Sequence, residues 1–190
     1  MLYLVALVII AAAVGLTLNE GIWGNAIRLF VVIMAGLLAT SWFEPVARML
    51  EDMMGKGLTY AYDFLALWGL FAIFCLILRL PADMLSRVKV RFMKIVDRVG
   101  GIFLGFLVGC VLVSFTLMSL HTAPMAEKFL MGSFDHTQKM LLVGPDRLWL
   151  GFVHNVSAGS FAGREFDPEA KFIANYAARR AALEKAIEGG

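Results

Sequence analysis

Asp97-Arg98-Val99-Gly100-Gly101 opens directly into Ile102–Leu120, with an acid and a base at the mouth of a long apolar run. From Val99 to Ala126 no residue carries a formal charge at neutral pH, apart from any protonated fraction of His121. A run of this length and polarity is enough to cross the roughly 30 Å of a bilayer's hydrocarbon core. Within it Gly101, Gly105 and Gly109 recur every fourth residue, which stacks them on one helix face. In a soluble helix each would cost about 1 kcal/mol relative to alanine. In a bilayer the same stripe lets a neighbouring backbone approach closely. The stripe is therefore the expected packing face; the plainer alternative is a span that merely carries many glycines. Phe103, Phe106 and Leu107 point away from it. The expected partner is the run 64–80, because consecutive helices are usually neighbours.

The composition agrees. Hydrophobic residues make up 60% and charged residues 17%, against about 25% charged in soluble domains. A formal net charge of +2 is too small to suggest nucleic-acid binding. The two cysteines, Cys75 and Cys110, sit in apolar runs at different depths and read as small apolar fillers.

Leu2–Leu18 is nearly all apolar. A cleaved signal is the competing reading, but no positively charged stretch precedes the run, which continues through Val14-Gly15-Leu16. Asn19-Glu20-Gly21 and Gly24-Asn25 are turn signals that join it to a second span over 27–43. Arg28 stands at the entrance of that span, and Trp23 and Trp42 suit its two boundaries. Glu44-Pro45 is expected to end it, with 45–54 as a short interfacial helix. Gly55-Lys56-Gly57 lacks the strand and further glycines of a phosphate loop. A third span over 64–80 should stop at Leu80-Pro81. The basic 81–98 loop follows, with Val88, Phe92, Ile95 and Val99 at helical spacing on the membrane surface. The fourth span is 100–120.

Two helices are expected beyond it. One follows Gly144-Pro145-Asp146, with Leu148, Trp149, Phe152, Val153 and Val156 as one apolar stripe. The other begins at Asp167-Pro168-Glu169 and carries Phe172, Tyr176, Leu183 and Ile187 on one side. Its apolar stripe is too narrow to be stable alone, so it should dock on the 145–157 helix or on a partner. The fold class is thus all-α: a polytopic membrane protein with four transmembrane helices over 1–122 and a short helical tail over 123–190.

Charge sets the expected orientation. Residues 79–98 hold six bases against two acids, and 44–63 holds four acids against two bases. The positive-inside rule puts the basic 81–98 loop in the cytoplasm and the C-terminal tail outside. The chemistry is sparse. His121, His136 and His154 stand apart without metal-ligand spacing, and no serine lies in a nucleophile elbow. No catalytic residue, cofactor or metal is expected. Charges near the predicted span ends can be headgroup anchors. They can also form a half-buried network, with Glu20 near Arg28 and Asp97 near Arg79 or Arg98. Asn19, Glu20, Gly21, Asn25 and Arg28 would then line a polar cavity.

Four spans, the basic loop and the Asp97-Arg98…Gly101…Gly105…Gly109 series together resemble the colicin V production (CvpA) family over about residues 1–120. The chain departs from that family's pattern at Gly24-Asn25, where an Arg-Glu pair is usual, and at Val108, often a basic position. The resemblance implies a bacterial inner-membrane protein connected with toxin export and envelope homeostasis. Two readings follow: a scaffold whose partners are the bilayer and other envelope proteins or a second copy, or a subunit of an oligomeric channel or transporter.

Overall fold

A computed structural model describes residues 2–55, 59–85, 93–124, 140–141, 143–158 and 166–188. Among these the chain is all-α, with α1 (Leu2–Thr17), α2 (Gly21–Met54), α3 (Thr59–Leu85), α4 (Lys94–Thr122), α5 (Pro145–Ser157) and α6 (Phe172–Glu188). Val88, Phe92, His136 and most of the expected 157–163 loop fall outside the described residues, as do Lys56 and Gly57.

Among the described residues three helices, not the expected four, are long and apolar enough to cross a membrane: α2, α3 and α4. The 16 residues of α1 are apolar but rise only about 24 Å. Proline does not break the helices where the sequence suggests. α2 runs through Pro45 and α3 through Pro81. A proline inside a helix costs about 3 kcal/mol, largely through one missing backbone hydrogen bond. In α2 the cost is offset by packing on both sides of the proline. Phe43 and Ala47 are both buried in one core, and Val46 and Leu50 pack against it. What looked like a separate interfacial helix is the continuation of α2.

α4 touches each of the other five helices. α1 lies antiparallel to it: Gly101 meets Gly21 just beyond the end of α1, while Leu2 clusters with Leu117. The aromatic core sits on another side of α4. Phe115, 1% exposed, stacks on Phe71 at 4.5 Å and meets Trp68 and Trp149 edge to face at 5.5 and 5.7 Å. Each indole N–H in this core finds an acceptor. Trp68 donates to Ser119 Oγ at 3.0 Å, and Trp149 donates to Thr40 Oγ1 at 3.2 Å. Those hydroxyls in turn donate to the Thr116 and Gly36 carbonyls, so neither of these two indole donors is left unpaired.

α5 and α6 share this core. On α5 the expected single stripe divides: Trp149 and Val153 are buried, whereas Leu148, Phe152 and Val156 are exposed. On α6, Phe172 and Tyr176 are buried, Phe172 meeting Phe43 at 6.3 Å. α6 begins at Phe172, later than expected, because Asp167 and Ala170 both adopt positive φ and form a turn. The Asp167 carboxylate still caps the helix, accepting the Lys171 and Phe172 N–H groups at 2.8 and 3.0 Å.

Phe115→Ala should lose about 3–5 kcal/mol, the range for emptying a buried phenylalanine site. Phe106→Ala, at a 45% exposed position on the same helix, should lose far less. Thermal melts in detergent compare the two; equal melting temperatures would contradict this core.

Candidate functional site

The expected site residues fall at the junction of α1, α2 and α4. α1 ends at Thr17, whose hydroxyl lies 2.8 Å from the Ala13 carbonyl and 3.2 Å from that of Val14. The chain then turns through Leu18–Glu20, with Glu20 N–H donating to the Thr17 carbonyl at 3.1 Å. Gly21 enters α2 at φ +69, a conformation that side chains rarely adopt. A β-carbon there would also stand 2.5 Å from the Asp97 carboxylate.

The N-terminus of α2 is capped from another helix. Glu20, at its N-cap position, makes no side-chain cap bond. Asp97 of α4 instead accepts the Ile22 N–H at 2.8 Å. A carboxylate there meets both an orphan donor and the positive end of the helix dipole. Arg98, its sequence neighbour, is exposed.

The glycine stripe faces α1 and the α1–α2 turn, not the run 64–80 expected from chain order. A β-carbon on Gly101 would stand 3.1 Å from the Gly21 carbonyl carbon, and one on Gly109 would stand 2.9 Å from Ile10 Cα. At Gly105 it would collide with Thr17 Oγ1. At Gly101 and Gly109 the close neighbour is backbone, whereas at Gly105 it is a side-chain hydroxyl. α3 could not take this place, because it meets α4 elsewhere, through Trp68 and Phe71.

Asn25 lies fully buried between the two helices. Its amide donates to the Thr17 carbonyl at 3.1 Å and the Gly101 carbonyl at 3.0 Å, tying the end of α1 to α4. Its Oδ1 is buried without a hydrogen-bond partner among the described residues. The five residues expected to line one polar cavity divide between two places. Gly21 and Asn25 face α4; Asn19 is exposed, and Glu20 and Arg28 form an ion pair on the partly exposed flank of the turn.

Two further clusters were not foreseen. His121, read as standing alone, pairs through Nε2 with Asp146 Oδ2 at 3.1 Å, both side chains 1% exposed. Arg180 donates to the His121 carbonyl at 3.3 Å. His154 likewise has a partner, the Phe166 carbonyl, 2.9 Å from its Nδ1. The usable signal was positional: His121 is the one titratable side chain, cysteine aside, in the run Val99–Ala126, and Asp146 follows a proline at a helix start. At the same end, Arg179 pairs with Asp63 and lies over the Tyr176 ring at 5.5 Å. They border a cleft of about 300 Å³ with Glu44, Arg48 and Tyr62. Burial, reinforced by the Asp63 carboxylate, pushes the Tyr176 phenol well above its ordinary pKa. No group of three metal-ligating side chains occurs among the described residues.

Long apolar helices, tied at their ends by buried polar contacts and closed around an aromatic core, define a helical membrane protein. A family model described as Colicin V production protein matches residues 2–138, and the chain belongs to that family. The match covers α1–α4, and α5 and α6 lie beyond it. No curated protein and no solved structure matches the chain.

Gly105→Ala should lower the melting temperature in detergent, by about 1–3 kcal/mol of overpacking. Thr17→Ala removes the atom it meets and should restore part of the loss. Gly109→Ala meets backbone instead and should not be rescued by Thr17→Ala. Rescue of both variants, or of neither, would contradict this junction.

Proposed function

We propose that this protein is a scaffold of the bacterial inner membrane, linked to export in colicin V production and envelope homeostasis. It holds other envelope proteins or a second copy of itself, and conducts nothing through its own centre. The observation that carries this reading is the filled middle of the bundle: Phe115 is enclosed by Phe71, Trp68 and Trp149. Thr40, buried beside it, ties α2 to α5 through Trp149, and Asn25, at the other end of α4, ties α1 and α4 through its amide N–H groups. The Colicin V production family is not a known enzyme family, and no catalytic role is proposed.

In this reading α2, α3 and α4 cross the bilayer. α1 is taken as a fourth membrane helix, its short length met by local thinning and by its seat along α4. The 1–122 region is the membrane domain and 123–190 its C-terminal part. The basic 81–98 stretch faces the cytoplasm, where lysines and arginines accumulate. Asp97 and the α1–α2 turn belong to that end by their mutual hydrogen bond. α6, held by Asp63 near the start of α3, then belongs to the outer end.

Two measurements test the proposal. Purified protein in liposomes should give no potassium or proton flux above that of empty liposomes. A photocrosslinker at exposed Ala178 of α6 should capture a defined envelope protein or a second copy in cells. Flux from the pure protein would overturn the scaffold in favour of an oligomeric channel. Protease added to intact spheroplasts should cleave the C-terminal part, and complete protection would reverse the orientation.

A further inference from the structure

α5 sits at an unexpected depth. The Trp149 ring covers Gly36 so closely that a β-carbon on that glycine would stand 2.7 Å from it. Gly36 is the midpoint of the uncharged run Leu29–Phe43 of α2. The nearest charged residues of α2 on either side, Arg28 and Glu44, lie about 12 Å away along the axis. A helix that seats its tryptophan there is level with the hydrocarbon that α2 crosses.

The faces of α5 fit that depth. At 3.6 residues per turn, Leu148, Phe152 and Val156 share one arc with Gly151 and Asn155, and the arc carries no charge. Leu148, Phe152 and Val156 are 58%, 41% and 47% exposed. The titratable side chains of α5 point elsewhere. Arg147 and His154 line the groove towards α6. Asp146, the group least compatible with lipid, is buried against His121 of α4. Enclosed by protein and bonded to His121 through Oδ2, this carboxylate is kept out of contact with lipid, although its Oδ1 is buried without a partner among the described residues.

We infer that α5 lies in the outer leaflet, tucked against α2 and α4, with Leu148, Phe152 and Val156 against lipid acyl chains. The inference rests on the membrane reading above. Lipid is the occupant because the arc is uncharged and continuous in depth with the apolar face of α2.

Spin labels on the full chain test it, in a background with Cys75→Ala and Cys110→Ala. Single labels go at Phe152→Cys and, in parallel, Val156→Cys on α5. Ile73→Cys, exposed on α3, and Ala178→Cys, exposed on α6, serve as references. The protein is reconstituted in phosphatidylethanolamine–phosphatidylglycerol vesicles. Collision rates with oxygen, which concentrates in lipid, and with a nickel chelate, which stays in water, are compared. The α5 labels should match Ile73, favouring oxygen severalfold, while Ala178 favours nickel. If the α5 labels match Ala178 while Ile73 stays lipid-like, α5 is in water and the inference fails, though the membrane reading stands. Nickel access at Ile73 as well would overturn both. Shielding of the α5 labels from both reagents would mean that protein, such as a second copy, covers the face, and would also overturn the inference.

Discussion

Backbone contact between α4 and the α1–α2 hairpin is the constraint on which the rest of the bundle depends. Between apolar helices in lipid there is little hydrophobic drive to association, so attraction comes from dispersion at close range and from hydrogen bonds. Both require the axes to approach closely, and Gly101, Gly105 and Gly109 remove the side chains that would prevent it. The approach brings the Gly101 carbonyl within reach of Asn25 and the Ile22 N–H within reach of Asp97. With α1 and the start of α2 held on this side, the rest of α4 is free to carry aromatic packing. Phe115 and its neighbours fill that side, and α3 and α5 close over it.

Hydrogen bonds between elements fix much of the bundle's polar interior. Several donors that enter apolar surroundings meet an acceptor supplied by another element, although the Trp23 indole N–H is buried without a partner among the described residues. Trp149 finds Thr40, Trp68 finds Ser119, and the first orphan donor of α2 finds Asp97. These contacts are directional, so they set rotation and register where apolar packing alone would allow sliding. At one end of the bundle Arg179 pairs with Asp63, and His121 hydrogen-bonds Asp146.

How much of this was legible in the sequence depends on the range of the interaction. The glycine stripe shows because it is periodic within one uncharged run. Its partner does not, because chain order points to the neighbouring α3, and the preference for α1 rests on the fit of Thr17 and Ile10 to those glycines. Pro45 reads as a helix end because its local cost is visible and the compensating burial of Phe43 and Ala47 is not. The Asp97-Arg98 pair is visible, but capping of α2 from 75 positions away is not. His121 and Asp146 are single residues in unremarked surroundings, and only the fold of α5 onto α4 joins them. Asp167 was legible as a cap, since its carboxylate acts within a few residues, while the turn that delays α6 depends on backbone torsions.

The pairing of α1 with α4 also has a consequence in time. During synthesis α1 leaves the ribosome before α4, its glycine-faced partner, which follows only after 76 further residues. At translation rates of about 5–20 residues per second, that interval is on the order of ten seconds. Throughout it α1, short for a bilayer, lacks Gly105 against Thr17, and α2 lacks the Gly101 carbonyl that accepts the Asn25 amide. The hairpin of α1 and α2 must therefore wait in the membrane as an incomplete unit until α4 arrives. Assembly of this chain closes from its fourth helix back onto its first.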